Sequence, residues 1–151
     1  MRLKEIRERL GVTQVKMSTK DLAQTRISQI EHAHRPPPQS LMVYAKALSD
    51  ASGVRCSVIY RMVDEDGDHD LMEDSGAALK RLREKDGISA IHMARMLDIS
   101  SVAVYGIEKS KNILLRTALR YAKTTGKILE YKLVVPSNEN ELTVDFLTEG
   151  R

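Results

Sequence analysis

The chain carries Leu3-Lys4-Glu5-Ile6-Arg7-Glu8-Arg9-Leu10-Gly11-Val12 near its N-terminus and Leu79-Lys80-Arg81-Leu82-Arg83-Glu84-Lys85-Asp86-Gly87-Ile88 in its second half. The two stretches align without a gap, at an offset of 76 residues. After a slip of one residue the match resumes and pairs Ile30-Glu31 with Ile107-Glu108 and Tyr44-Ala45-Lys46 with Tyr121-Ala122-Lys123. This internal repeat predicts two related units in tandem, each about large enough for a small helical core.

Apolar residues recur at helical spacing in each repeat. In the first repeat Leu3, Ile6 and Leu10 lie on one helix face, Gly11 ends that helix in a left-handed conformation, and Thr13 is the N-cap of the next. We expect further helices at 14–20, 24–32, 41–48 and 58–62, with a stop at the prolines 36–38. In the second repeat we expect helices at 79–85, 90–97 and 101–109, with Ser89 and Ser100 as N-caps. The pattern predicts a mainly α fold of two tandem five-helix bundles.

The C-terminal residues follow a different pattern. Residues 128–135 and 142–146 alternate apolar and polar side chains, which predicts a short β-hairpin or strand pair. A lone two-stranded hairpin is marginal in water, so these strands need a partner, which a second copy of the chain could supply. The expected organisation is therefore a first helical domain at 1–63, an acidic linker at 64–75, a second helical domain at 76–127, and strands at 128–151 that could serve dimerisation.

Charge is unevenly distributed along the 151 residues, although the net charge is only +3. Residues 1–63 hold 11 basic and 5 acidic side chains, residues 64–74 hold 7 acidic and none basic, and residues 75–127 hold 11 basic and 4 acidic. Two basic blocks favour a polyanionic partner and make nucleic acid the leading class; ordinary solvated helix faces are the alternative. No apolar run is long enough to span a membrane, no signal sequence is evident, and the single cysteine suits a reducing cytoplasm.

Both repeats resemble the lambda-repressor-like (Cro and Xre type) helix-turn-helix DNA-binding family, over about residues 2–63 and 76–127. The resemblance lies in the segments 3–14, 26–31, 79–89, 93–100 and 107–108. It implies that the third helix of a repeat enters the major groove of DNA. It also implies two structural ion pairs, Arg7 with Glu31 and Arg83 with Glu108.

The resemblance assigns DNA contacts by position. In the first repeat the base contacts would be Gln24, Thr25, Arg26, Ser28 and Gln29, and the phosphate contacts Gln14, Lys16, Lys20, His34 and Arg35. In the second repeat the corresponding candidates are Ser101, Val102, Ala103, Tyr105, Lys109 and Lys111, a set without Arg, Gln or Asn. That second set either contacts DNA through apolar groups and backbone or belongs to a degenerate copy used for dimerisation. Two departures from the family pattern are a shortened turn at 20–23 and Ala33 in place of a glycine.

The sequence predicts a sequence-specific double-stranded DNA-binding transcriptional regulator of bacterial or phage type, acting as a repressor. It would work as a homodimer or as an internal pseudo-dimer. The alternative is an antitoxin-like module whose second domain and tail bind a partner protein. No enzyme motif, cofactor or metal site is expected; His32, His34 and Cys56 lack a fourth ligand, and residues 64–70 lack the glycine and glutamate positions of a calcium loop.

Overall fold

The computed structural model describes residues 1–138 and 140–147. Within these residues it contains eight α-helices and four β-strands. In chain order they are α1 (Leu3–Arg9), α2 (Gln14–Met17), α3 (Gln24–His32), α4 (Pro38–Ser52), β1 (Ser57–Asp64), β2 (Gly67–Asp70), α5 (Ser75–Lys85), α6 (Ala90–Leu97), α7 (Ser101–Lys109), α8 (Leu115–Thr125), β3 (Ile128–Val135) and β4 (Leu142–Asp145).

The four strands form one sheet in the order β2-β1-β3-β4. Strand β1 pairs antiparallel with β2 from Arg61 opposite Asp70 to Asp64 opposite Gly67. Strand β3 pairs antiparallel with β4 from Lys132 opposite Asp145 to Val135 opposite Leu142. The partner that an isolated hairpin requires therefore comes from within the chain.

The prediction of a mainly α fold with only a short hairpin is wrong. Helices account for 51% of the described residues and the antiparallel sheet for 16%, which makes this a mixed α and β fold. The expected fifth helix around Val58 to Met62 is strand β1, because Tyr60 and Met62 are buried in strand alternation. Each repeat consequently has four helices followed by two strands rather than five helices.

The chain divides into two compact units that are not contiguous in sequence. Unit 1 comprises residues 1–59 together with the residues from Tyr131 onward, and unit 2 comprises residues 60–130. Unit 1 thus contains α1–α4 and β4 with most of β3, whereas unit 2 contains α5–α8 and β2 with most of β1. The strands that follow the helices of one repeat complete the unit built on the other repeat.

The acidic segment expected to be a linker contains the end of β1 and all of β2, and Asp64, Asp66 and Asp68 have basic partners within unit 2. Asp64 is 2.6 Å from Lys85 Nζ, 3.4 Å from Lys127 Nζ and 3.0 Å from His69 Nε2. The hydrogen bond from Lys85, followed by that from His69, holds the pKa of Asp64 well below its usual range. The run of acidic residues is therefore part of the folded unit.

Most helix ends in unit 1 follow the local sequence. Helix α3 covers the predicted residues, and Thr13 caps α2 by accepting a hydrogen bond from the Lys16 N–H at 3.1 Å. Helix α2 is shorter than predicted and ends at Met17, where Ser18 becomes extended and its hydroxyl bonds the Val15 carbonyl. The turn before α3 is held by Thr19, whose hydroxyl accepts the N–H groups of Asp21 and Leu22.

In unit 2 the predicted N-caps are confirmed. Ser89 accepts from the His92 N–H and Ser100 from the Ala103 N–H, each at 3.1 Å. Helix α5 begins four residues before the predicted start, and its first turn lies against the end of α7. A Cβ on Gly76 would lie 2.3 Å from the Ile107 carbonyl oxygen and 2.4 Å from that of Ser110, so only glycine fits there.

None of the described helices combines the length and the apolar character needed to cross a membrane.

Candidate nucleic-acid interface

Helix α3 is fixed to the rest of unit 1 through Glu31 near its C-terminal end. Arg7 of α1 donates to both Glu31 carboxylate oxygens, from Nε at 2.6 Å and from Nη2 at 3.1 Å. The same carboxylate accepts the Gln14 side-chain amide at 2.9 Å and the Tyr44 hydroxyl at 2.5 Å. This Glu31 cluster (Arg7, Gln14, Glu31 and Tyr44) ties all four helices of the unit to one carboxylate.

Within the Glu31 cluster, Glu31 and Arg7 stay ionised at neutral pH and Tyr44 stays neutral. Burial raises the pKa of Glu31, but hydrogen bonds from Arg7, Tyr44 and Gln14 outweigh it and leave that pKa below its ordinary value. The hydrogen bond to Glu31 raises the pKa of Arg7. Burial and the same carboxylate raise the pKa of the Tyr44 hydroxyl, which therefore remains a proton donor.

The predicted base-contacting residues lie on the outward side of α3. Ile27 and Ile30 are buried beneath the helix, whereas Gln24, Thr25, Arg26 and Gln29 are exposed and Ser28 is half-buried. The exposed set offers amide, hydroxyl and guanidinium groups. These groups can form the hydrogen bonds that distinguish base pairs in the major groove.

Three of the predicted base contacts, Arg26, Ser28 and Gln29, have intramolecular partners. Arg26 Nη2 donates to the Ser40 hydroxyl at 2.6 Å, and Arg26 Nη1 lies 3.5 Å from Gln29 Oε1. The Ser28 hydroxyl lies 3.4 Å from His32 Nδ1. Because Arg26 is held between α3 and α4, its guanidinium is positioned before any ligand arrives.

The predicted phosphate contacts do not all lie on the surface that carries the α3 face. Lys16 and Lys20 are exposed beside α3, and Gln14 and Gln24 line one open surface depression with Thr13 and Val15. Gln14 uses its amide on Glu31, so it contributes to the scaffold. His34 is exposed, but it lines a separate cleft of about 350 Å³ with the N-terminus of α1 and the end of β4. Arg35 is half-buried, with Nε donating to the Phe146 carbonyl at 3.1 Å.

Unit 2 holds its third helix in the same way with fewer partners. Arg83 donates to Glu108 at 2.5 Å and 3.2 Å, and its Nη1 donates to the Ile88 carbonyl at 2.9 Å. The hydrogen bond to Glu108 raises the pKa of Arg83. Ala90 replaces the glutamine, and the Tyr121 hydroxyl donates to the Leu79 carbonyl at 3.3 Å, so neither residue reaches the carboxylate.

The outward side of α7 is apolar or small where α3 is polar. Val102 is 77% exposed and Tyr105 is 50% exposed, while Ala103 and Gly106 are also exposed and Ser101 is half-buried. Lys109 and Lys111 are exposed at the C-terminal end of the helix. By repeat position, Ser101, Val102, Ala103 and Gly106 of α7 stand where α3 has Gln24, Thr25, Arg26 and Gln29.

Sequence reasoning missed two residues that position the α3 face, Tyr44 and Ser40. Tyr44 belongs to the segment that repeats as Tyr121-Ala122-Lys123, and this recurrence was the signal that marked it. Ser40 carries no such signal, because its role depends on the approach of α4 to Arg26. Among the described residues, no three His, Cys, Asp or Glu side chains stand close enough together to hold a metal ion.

Comparisons with protein-family models, with curated proteins and with solved structures found no match to this chain.

Proposed function

We propose that the protein is a sequence-specific double-stranded DNA-binding transcriptional regulator of bacterial or phage type, acting as a repressor in the cytoplasm. The observation that carries the proposal is the face of α3, where Gln24, Thr25, Arg26 and Gln29 are exposed on a helix clamped through Glu31. A rigid helix that displays several different hydrogen-bonding groups is suited to reading base edges.

The tandem repeat supports reading by two helices from one chain, an internal pseudo-dimer. The hairpins give each other strand partners in one sheet, so a second copy of the chain is not needed to complete them. Because α3 and α7 differ in chemistry, the preferred DNA site of such a chain is asymmetric. A homodimer that used two copies of unit 1 would select a palindrome instead.

Selection of bound duplexes from a random library at fixed salt tests the proposal. An asymmetric motif supports the internal pseudo-dimer, a palindromic motif supports the homodimer, and the absence of any motif contradicts sequence-specific binding.

Two substitutions then separate base reading from phosphate binding. Gln29→Ala is expected to relax preference at one or two base positions, at a cost of about 1–3 kcal/mol on the selected site alone. Lys16→Ala is expected to weaken selected and random duplexes alike and to lower the salt slope by about one. Lys46→Ala, an exposed lysine on α4, is the control and should change neither quantity. Equal losses on both duplexes for Gln29→Ala and Lys16→Ala would contradict the assignment.

A second candidate function is an antitoxin-like module that binds a partner protein. Exposed apolar side chains in unit 2 favour it, since Ile91 is 59% exposed and Val102 is 77% exposed. Under this function Val102→Asp would abolish binding of the partner protein while leaving DNA binding by unit 1 intact.

A further inference from the structure

Helix α7 is an exposed helix with little capacity for hydrogen bonding. Three neighbouring positions on its outer side, Val102, Ala103 and Gly106, carry no polar side-chain atom, and Val102 is the most exposed large apolar residue of the described chain. Their counterparts on α3 are Thr25, Arg26 and Gln29. The hydroxyl groups on this side of α7 are those of Ser101 and Tyr105. If α7 reads DNA through Val102, Ala103 and Gly106, it reads groups other than hydrogen-bond donors and acceptors there.

Helix α7 is held in unit 2 by an ion pair, an N-cap and a close contact with α5. The Arg83–Glu108 pair is mostly buried, with side chains 9% and 6% exposed, and Ser100 caps the helix. Gly76 brings the start of α5 against the end of α7, where its N–H donates to the Ser110 carbonyl at 3.0 Å. Helix α7 is thus anchored to its unit through the same arginine–glutamate pairing as α3, although its outer face differs.

Exposed charge in the segment from Gly87 to Gly126, which contains α7, is mostly basic. The basic side chains are Arg95, Lys109, Lys111, Arg116, Arg120 and Lys123, and the acidic one is Asp98. Seven of the twelve acidic residues of unit 2 lie at positions 64–74, and Glu84 and Asp86 are exposed near the C-terminal end of α5. An apolar helix face within a basic stretch fits a surface that offers phosphates and apolar groups together.

The major groove of DNA offers that combination, because the C5-methyl group of thymine is its one apolar feature and phosphates flank it. We infer that α7 recognises thymine methyl groups through Val102 and Ala103, with Lys109 and Lys111 on the adjacent phosphates. The inference rests on the proposed DNA-binding function and specifies the half of the site that unit 2 reads. In that half of the site, α7 distinguishes thymines by van der Waals contact with their methyl groups rather than by hydrogen bonds.

Replacement of thymine by deoxyuridine in the selected duplex tests this inference with the full chain. Deoxyuridine keeps every hydrogen-bonding group of thymine and lacks only the methyl. The half-site of unit 2 is identified as the part where Gln29→Ala leaves base preference unchanged. In this half-site, replacement of thymine by deoxyuridine at one or two positions is expected to weaken binding about threefold to fivefold at each position.

Variants assign the effect to α7. In Val102→Ala the duplex with thymine should bind more weakly and the penalty for deoxyuridine should shrink to less than about half, since the contact is already lost. Leu114→Ala, which removes another exposed apolar side chain of unit 2, should leave that penalty unchanged. Both residues are more than half exposed, so both variants should fold.

Three outcomes would overturn the inference. If the selected duplex binds but no deoxyuridine substitution in that half matters, or the penalty persists in Val102→Ala, then methyl recognition by α7 is wrong while the regulator function stands. If unit 2 protects no DNA and Val102→Asp instead abolishes binding to a protein, the face is a protein interface. If no duplex is selected at all, the proposed function fails and this inference fails with it.

Discussion

Glu31 shows how one side chain can organise a domain. Its carboxylate is 2% exposed, and it meets the guanidinium of Arg7, the amide of Gln14 and the hydroxyl of Tyr44. A buried charge is tolerable only when its hydrogen bonds are satisfied, and here each carboxylate oxygen accepts two. This arrangement holds α3 against the other three helices of unit 1.

Removal of Glu31 should be costly because it leaves Arg7 buried without a counter-charge. Glu31→Ala is expected to lower the free energy of unfolding by about 3–5 kcal/mol, measured by urea titration. Glu8→Ala is the matched control, because Glu8 is 57% exposed and pairs with Lys4 only at 3.9 Å; its cost should stay within about 0.5 kcal/mol. Similar losses in both variants would mean that the Glu31 cluster does not stabilise the fold.

The same carboxylate predicts acid sensitivity. Since the pKa of Glu31 is lowered in the folded protein, its contribution to stability is fully present above its unfolded pKa of about 4.3 and is lost as pH falls through the folded value. Urea titrations between neutral pH and about pH 3 should show the stability of the wild type converging on that of Glu31→Gln as the acid is protonated. A constant difference between the two proteins across this range would contradict the lowered pKa.

At the scale of the element, close packing distinguishes two glycines that sequence alone treats alike. Gly76, the second residue of α5, has no room for a Cβ, because three backbone carbonyl oxygens of residues 107–110 lie within 2.8 Å of where it would be. Gly106 lies within α7 and faces open space. The first glycine is required by contact and the second is not.

Alanine at these two glycines should therefore act in opposite directions. Gly76→Ala is expected to destabilise unit 2 by about 1–3 kcal/mol, since the end of α7 must shift. Gly106→Ala should stabilise it by up to about 1 kcal/mol through helix propensity. Thermal unfolding of the two variants beside the wild type checks both signs, and a neutral Gly76→Ala would refute the close approach of α5 and α7.

The helices were predictable from sequence, whereas half of the sheet was not. Helical spacing, Thr13, Ser89 and Ser100 located α2, α3, α6 and α7 to within a few residues, because caps and periodicity are local signals. The sequence predicts a helix where strand β1 lies, because Val58, Ile59 and Met62 also fit a helical face. The alternation of Tyr60 and Met62 in a β-branched run was the available contrary signal.

Strand β2 carries no such signal, since Gly-Asp-His-Asp has low β propensity and a charge typical of linkers. It forms a strand because β1 lies beside it and because Arg61 pairs with Asp68 at 3.0 Å. The face of α3 was predictable because exposure follows from helix periodicity. The tether of Arg26 to Ser40 depends on how α4 packs, which no local pattern encodes.

At the scale of the whole molecule, the first helices and the last strands belong to one unit. In unit 1 the Tyr131 hydroxyl donates to the Pro36 carbonyl at 2.5 Å, and the Phe146 carbonyl accepts from Arg35. Tyr131, Leu133 and Val135 are fully buried. The C-terminal strands are thus core elements of the unit that carries α3.

Truncation tests this dependence. A chain that ends after Lys127 should lose amide-exchange protection in α4 and bind DNA weakly, because unit 1 lacks its strands. A chain that ends after Leu147 keeps β3 and β4 and is the control; its protection should equal that of the full chain. Unchanged protection of α4 in the shorter chain would show that the strands are dispensable to unit 1.

The strands that follow one repeat belong to the unit built on the other repeat, and this placement constrains the order of folding during synthesis. A ribosome releases α1 to α4 about 80 residues before β3 is synthesised, so these helices keep apolar surface uncovered until β3 and β4 emerge. Helix α3 would therefore reach its final rigidity only after the strands from the other end of the fold have been made.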